Sequence, residues 1–231
     1  MNVCDIVIIL LLLFGAVLGF KSGVIKKLAD FVGLFAIVII AFSLKNNLSV
    51  VLYENLPFFD FGSIINGFDA LNILFYEVIA FLIVFIVLLF FYKIILVITG
   101  LVEKILKATV ILSIPSKILG IFVGIIEYYV YIFIILVIAT LPIFKVPFVK
   151  ESKIADYMLH NTPILTPIST EIVDVYDGVY QILEDRNKRD NEELNGEIVK
   201  FLIDKKVLTK ESAKKLVDRN KLHIKDTSII E

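Results

Sequence analysis

Four apolar stretches dominate the first 144 residues and leave the chain few ways to fold. They run from Asp5 to Phe20, from Leu28 to Leu44, from Ile73 to about Val102, and from about Lys117 to Leu141. Residues 1–144 hold 8 Lys/Arg and 8 Asp/Glu, whereas residues 145–231 hold the other 15 and 16 of the totals of 23 and 24. Hydrophobic residues make up 58% of the 231, well above the roughly 45–50% of soluble domains. So short a chain cannot hide that much apolar surface in one water-soluble core. About 20 apolar residues in a helix cross the ~30 Å of bilayer hydrocarbon. The sequence therefore predicts an all-α integral membrane protein with about four transmembrane helices and a charged, helical C-terminal tail.

The charge-free runs inside the spans are short: residues 6–20, 31–44, 78–92 and 128–144. Either flanking ionisable side chains snorkel to the headgroups, or the first two segments form a re-entrant hairpin around Lys21–Lys27. Residues 1–20 lack the basic start and small-x-small site of a cleaved signal peptide, so an uncleaved span is expected. Asn46–Asn72 reads as a loop with an aromatic cluster, Phe58, Phe59 and Phe61, at the interface. The expected division is a membrane domain over 1–144, an amphipathic helical segment over 145–183, a polar linker over 184–196 and a small helical hairpin over 197–231. In the second part Ser152–His160 reads as a short helix. A longer helix starts with Pro167 in its first position and repeats apolar residues from Ile168 to Leu183. The last hairpin has a helix capped by Thr209, with Glu211 in its first turn.

Signals for chemistry are few. The net charge is −1 and Cys4 is the single cysteine, which gives no support to nucleic-acid binding, an intrachain disulfide or a CxxC site. Gly15 to Ser22 lacks the glycine directly before lysine that a phosphate loop needs. His160 and His223 lie far apart, outside any metal-ligand spacing. No catalytic residue, metal or cofactor is expected. Two patterns remain. Gly15, Gly19 and Gly23, and likewise Gly120 and Gly124, recur every four residues, which lets helix backbones approach closely, either within the monomer or between copies. Glu127 falls near the middle of the fourth span, where a charge costs roughly 2.5–3.5 kcal/mol, so it should be neutralised, paired or watered, either as a relay or substrate-contact site or as a protonated Glu hydrogen-bonded to a neighbouring helix. Lys93 of the third span is the candidate partner, with Tyr128, Tyr129 and Tyr131 around the carboxyl group. Asp5, Asp30 and Glu77 lie near span ends, where anchoring accounts for them.

Asp5, Gly15, Gly19-Phe20-Lys21-Ser22-Gly23, Leu28 and Gly33 follow in the order of an early Asp, an apolar helix, a glycine-basic turn and a second apolar helix. Lys117-Ile118-Leu119-Gly120 with Gly124 opens the last span, and Ser152-Lys153-Ile154 follows it. Over roughly residues 1–180 this resembles the colicin V production (CvpA) family, with a departure at Glu127-Tyr128, where relatives often have a basic residue and glycine. The resemblance implies a multi-pass protein of the bacterial cytoplasmic (inner) membrane. Its expected role is non-enzymatic support of peptide-toxin production or secretion and envelope maintenance. The alternative is a small transporter or channel component with a polar pathway at Glu127 and Lys93. Expected partners are membrane lipids, a second copy of the chain, and an unidentified protein at the tail. Basic residues gather in two short loops, Lys21, Lys26 and Lys27 and then Lys104 and Lys107, bordered by Lys93 and Lys117. Those loops should face the cytoplasm and the N-terminus and tail the outside.

Overall fold

The computed structural model describes residues 2–59, 68–98, 113–140, 149, 151–163, 165–184 and 189–230, and among them no strand occurs. Among these residues eight α-helices follow one another: α1 Val3–Ser22, α2 Val24–Asn55, α3 Ala70–Ile98, α4 Ser113–Thr140, α5 Lys153–Asn161, α6 Leu165–Glu184, α7 Asn191–Asp204 and α8 Lys210–Asp218. A 3₁₀ turn at Thr227–Ile230 closes the chain. Among the described residues four helices are long and apolar enough to cross a membrane: Val3–Ser22, Val24–Asn55, Ala70–Ile98 and Ile114–Thr140. The fold is all-helical, as the sequence predicts.

Several boundaries differ from the expected ones. The turn after α1 is the single residue Gly23, not the Lys21–Lys27 stretch. Gly23 sits at φ 75° and ψ 166°, a backbone state that glycine adopts without the clash a side chain brings. The Val24 amide then donates to the buried Ser116 Oγ at 3.3 Å, which satisfies one of the free donors at the start of α2. At its other end α2 continues ten residues past Lys45 into the expected loop. Lys45 ends the apolar run, but its ammonium group is neutralised by Glu77, and residues 46–55 contain neither Gly nor Pro. Pro57 disfavours helix in the residue before it. Helix α6 starts at Leu165, so Pro167 is its third residue; a proline there still removes no intrahelical bond. Helix α7 begins at Asn191 inside the expected polar linker, with two glutamates in its first turn. Phe61, the loop lysines Lys104 and Lys107, and residues 185–188 lie outside the described residues.

The chain divides into two compact units, Met1–Ala41 with Phe85–Thr170, and Phe42–Val84 with Glu171–Glu231. In the first, α1 packs along α4 in antiparallel fashion, with Gly15 against Gly124 and Gly19 against Gly120. A Cβ on Gly15 would lie 2.7 Å from the Gly124 carbonyl oxygen, and one on Gly124 would lie 2.9 Å from the Gly19 Cα. Both are closer than real Cβ contacts, so only glycine permits this backbone approach. The opposite face of α1, with Ile6, Val7, Leu10, Leu13, Phe14 and Val17, is exposed and suited to lipid. Gly15, Gly19, Gly120 and Gly124 therefore pack against one another within one chain. Helix α5 packs against α1 and α4.

The second unit combines the end of α2 and the start of α3 with most of α6 and the last two helices. Leu194, Ile198, Leu202, Leu208, Leu216 and Leu222 are all buried there. Both α7 and α8 end with a residue in the left-handed region, Lys206 at φ 60° and Asn220 at φ 56°. In each, the following amide reaches back over five residues, Val207 to the Leu202 carbonyl and Lys221 to the Leu216 carbonyl. These are two Schellman endings. Thr209 caps α8 as expected, accepting from the Ser212 amide at 3.1 Å.

Gly19→Ala should lower the melting temperature in detergent, because the added methyl meets backbone that cannot rotate away; overpacking of this kind costs about 1–3 kcal/mol. Val17→Ala on the exposed face is the control and should change it little. Equal melting of the two variants would contradict the packing described.

Candidate functional site

In the first unit the charge that the sequence places in the fourth span acquires a partner. Lys27 Nζ donates to Glu127 Oε2 at 2.6 Å, and both side chains are buried. Lys27 is the fourth residue of α2 and Glu127 lies in the middle of α4. Lys93, the expected partner, instead has an exposed side chain. The partner comes from the second span, not the third, because the one-residue turn at Gly23 brings the first turn of α2 back toward α4. Asp30, one turn after Lys27, lies 4.0 Å from the same ammonium and is about a quarter exposed. The tyrosines near Glu127 are engaged elsewhere: Tyr129 Oη is 2.5 Å from Thr162 Oγ1, and the Tyr128 ring packs against Phe14 and Tyr131. Tyr92 of α3 donates to the Ala29 carbonyl at 2.9 Å and lies over Gly33.

Two acidic residues assigned to simple anchoring are built into the fold. Asp5 is buried and accepts from the Asn2 amide at 2.8 Å, Ser152 Oγ at 2.5 Å and the Ile154 amide at 3.2 Å. It therefore ties the start of α1 to the first turn of α5, where helix amides favour a negative charge. In the second unit Glu77 is buried too, accepting from Lys45 Nζ on one oxygen and from Ser49 Oγ on the other at 2.6 Å. Lys45, Ser49 and Tyr53 follow at four-residue spacing on α2. Tyr53 is fully buried, and its hydroxyl has no hydrogen-bond partner among the described residues. The lysine-to-glutamate links cross from one span to another, and sequence spacing carries no signal for such pairs.

The tail meets the end of α2 in the same unit. Lys221 Nζ donates to the carbonyls of Tyr53 at 3.1 Å, Glu54 at 2.7 Å and Leu56 at 2.9 Å, and Arg219 donates to the Glu54 carbonyl at 2.7 Å. His223 lies 2.7 Å from Asp69 through its ring. Burial lowers the Lys221 pKa, with Arg219 adding to the effect. Tyr176 of α6 is buried, which pushes its phenol pKa upward, and its hydroxyl donates to the Leu74 carbonyl at 2.9 Å. Phe58 and Phe59 of the expected aromatic cluster stack around Tyr76. Among the described residues no group of three or more His, Cys, Asp or Glu is placed to hold a metal ion. The arrangement offers buried, neutralised charge.

Comparison with known proteins adds the family. Residues 4–163 match the family described as colicin V production protein. A Bacillus subtilis (strain 168) protein described as the uncharacterized transmembrane protein YshB is 29% identical over 175 residues, covering 73% of this chain and 96% of that one. No solved structure matches.

Removing one partner of a buried pair leaves an uncompensated charge and costs about 3–5 kcal/mol, whereas replacing both is far milder. Lys27→Met should therefore destabilise the detergent-solubilised protein strongly, and Lys27→Met with Glu127→Gln should recover most of the loss. Thermal melting of the four-member cycle measures the coupling. Additive losses would mean that the two residues do not act as a pair.

Proposed function

Because the chain belongs to the colicin V production protein family, we propose that it supports production or secretion of a peptide toxin, and envelope maintenance, from the bacterial cytoplasmic membrane. The supporting observation is that the matched residues 4–163 take in all four apolar helices and α5. In this reading the protein acts without catalysis, through a rigid membrane domain and partners recruited in the bilayer or at the tail; a second copy of the chain is one such partner. Deleting the protein from a toxin-secreting bacterium should reduce toxin activity in the medium, and the intact chain should restore it. Undiminished toxin release would contradict the proposal.

The orientation proposed with it keeps Lys21, Lys26 and Lys27 cytoplasmic and the tail outside. Its support is that Asp5 at the start of α1 bonds to Ser152, which follows α4, as four crossings with both ends on one face require. A cysteine replacing the exposed Lys206, with Cys4 changed to Ser, should react in intact cells with a membrane-impermeant maleimide. Reaction only after permeabilisation would place the tail in the cytoplasm.

A second reading, a small transporter or channel component, draws on the buried Glu127 charge, since ionisable residues inside membranes are expensive and commonly mark pathways. Its polar pathway would involve Glu127 and Lys27. Solute flux in proteoliposomes that Glu127→Gln abolishes would favour this reading over the first.

A further inference from the structure

The second unit contains a polar line that begins at a buried charge and ends beneath the tail. Lys45, Ser49 and Tyr53 share one face of α2, because residues four apart lie nearly above one another on a helix. Glu77 of α3 accepts from the first two. Tyr53 comes next, near enough to Glu77 to feel its charge, and its buried hydroxyl is unpartnered among the described residues. Ser212 of α8 lies beside that hydroxyl. Immediately beyond Tyr53 the helix ends, and the tail holds that end through Lys221 and Arg219. Lys215 adds an ion pair to Glu54 at 3.8 Å.

The way the tail is held is unusual. The contacts to α2 are cationic side chains placed against backbone carbonyls at a helix C-terminus, where the last carbonyls have no partner of their own and carry partial negative charge. Lys221 is half-exposed rather than sealed in, and water can replace it at those carbonyls. The hairpin's Leu194, Leu202, Leu208 and Leu216 are buried. Elements held by exposed polar contacts over a separate core are the ones that open locally.

We propose that the carboxyl-terminal hairpin is a releasable lid latched by Lys221, and that its release opens the line from Tyr53 through Ser49 to the Glu77 carboxylate to water and small cations. The line has the right chemistry for that occupant: a carboxylate at its inner end, hydroxyls along its length, and a lysine as the resident counter-ion that an entering cation would displace. The proposal stands apart from any role in toxin release, since it concerns access within the second unit alone.

The test uses the full chain in opened membrane vesicles, with Cys4→Ser and Ser49→Cys, and the cationic reagent trimethylammonium-ethyl methanethiosulfonate. With the native tail, the thiol introduced at position 49 should react slowly. Lys221→Glu sets a carboxylate against the α2 carbonyls, and should speed both tryptic cleavage after Arg219 and reaction of that thiol, the latter by about tenfold or more. The sulfonate analogue of the reagent should gain much less, because Glu77 repels it. Leu34→Cys in place of Ser49→Cys, at a position buried in the first unit, is the control for general loosening and should stay unreactive. Failure of Lys221→Glu to speed cleavage would show that Lys221 is no latch. Faster cleavage with the position-49 thiol unchanged would show that the tail covers no passage. Acceleration in the Leu34→Cys control as well, or equal gains with both reagents, would also overturn the proposal.

Discussion

Lys27 and Lys45 lie 18 residues apart on α2, and each neutralises a glutamate from another apolar helix. At 1.5 Å per residue their separation is about 27 Å along the helix, close to the thickness of bilayer hydrocarbon. The uncharged run between them, residues 31–44, is too short by itself to span. It need not do so, because its flanking charges are already paired. Lys27 also stands in the first turn of its helix, where the macrodipole disfavours a cation; Glu127 offsets that as well. An ion pair in low dielectric is a weak source of net stability but a strict one, since neither partner can be left alone. That strictness fixes which part of α2 faces α4 and which faces α3.

Glycine contact supplies what charge cannot. Hydrocarbon tails are as apolar as leucine, so apolar surface alone gives membrane helices little reason to associate. Where Gly15 and Gly19 meet Gly124 and Gly120, the backbones touch over two turns and dispersion acts at the shortest distances available. Gly23 extends the pattern by a different property. Its positive φ reverses the chain in one residue, and that tight reversal places Lys27 within reach of Glu127. One four-residue repeat therefore does two separate jobs, close packing at Gly15 and Gly19 and chain reversal at Gly23.

Hydropathy made the four spans legible, and the spacing of Ser152 and Thr209 before apolar-periodic segments made two helix starts legible. The early Asp and the glycine turns pointed to the family. What stayed hidden depends on distance in sequence. The need of Glu127 for a partner was readable from its position, but Lys27, one hundred residues away, could not be told from a headgroup anchor until the turn was seen to be a single residue. Glu77 and Asp5 were hidden in the same way. Charge also misleads where it marks a boundary: Lys45 reads as the close of the second span, and the charged stretch before Gly196 reads as a solvated linker. Paired or capping charges set neither boundary.

The tail shows the same principle outside the hydrocarbon. A hairpin of two short helices has too little core to be firmly stable alone, and a membrane helix that ends in open backbone has carbonyls without partners. Each defect is the remedy for the other. The Schellman ending of α8 turns the chain at Asn220 and so presents Lys221, the next residue, to the carbonyls of Tyr53, Glu54 and Leu56. A glycine at 220 would make the same turn, but a residue without a long cationic side chain at 221 would leave the Tyr53 and Leu56 carbonyls without this donor. The requirement at this junction is therefore positional: a left-handed residue followed at once by a long cation. That pairing, rather than any surplus of charge in the tail, ties the most polar part of the chain to one of its long apolar helices.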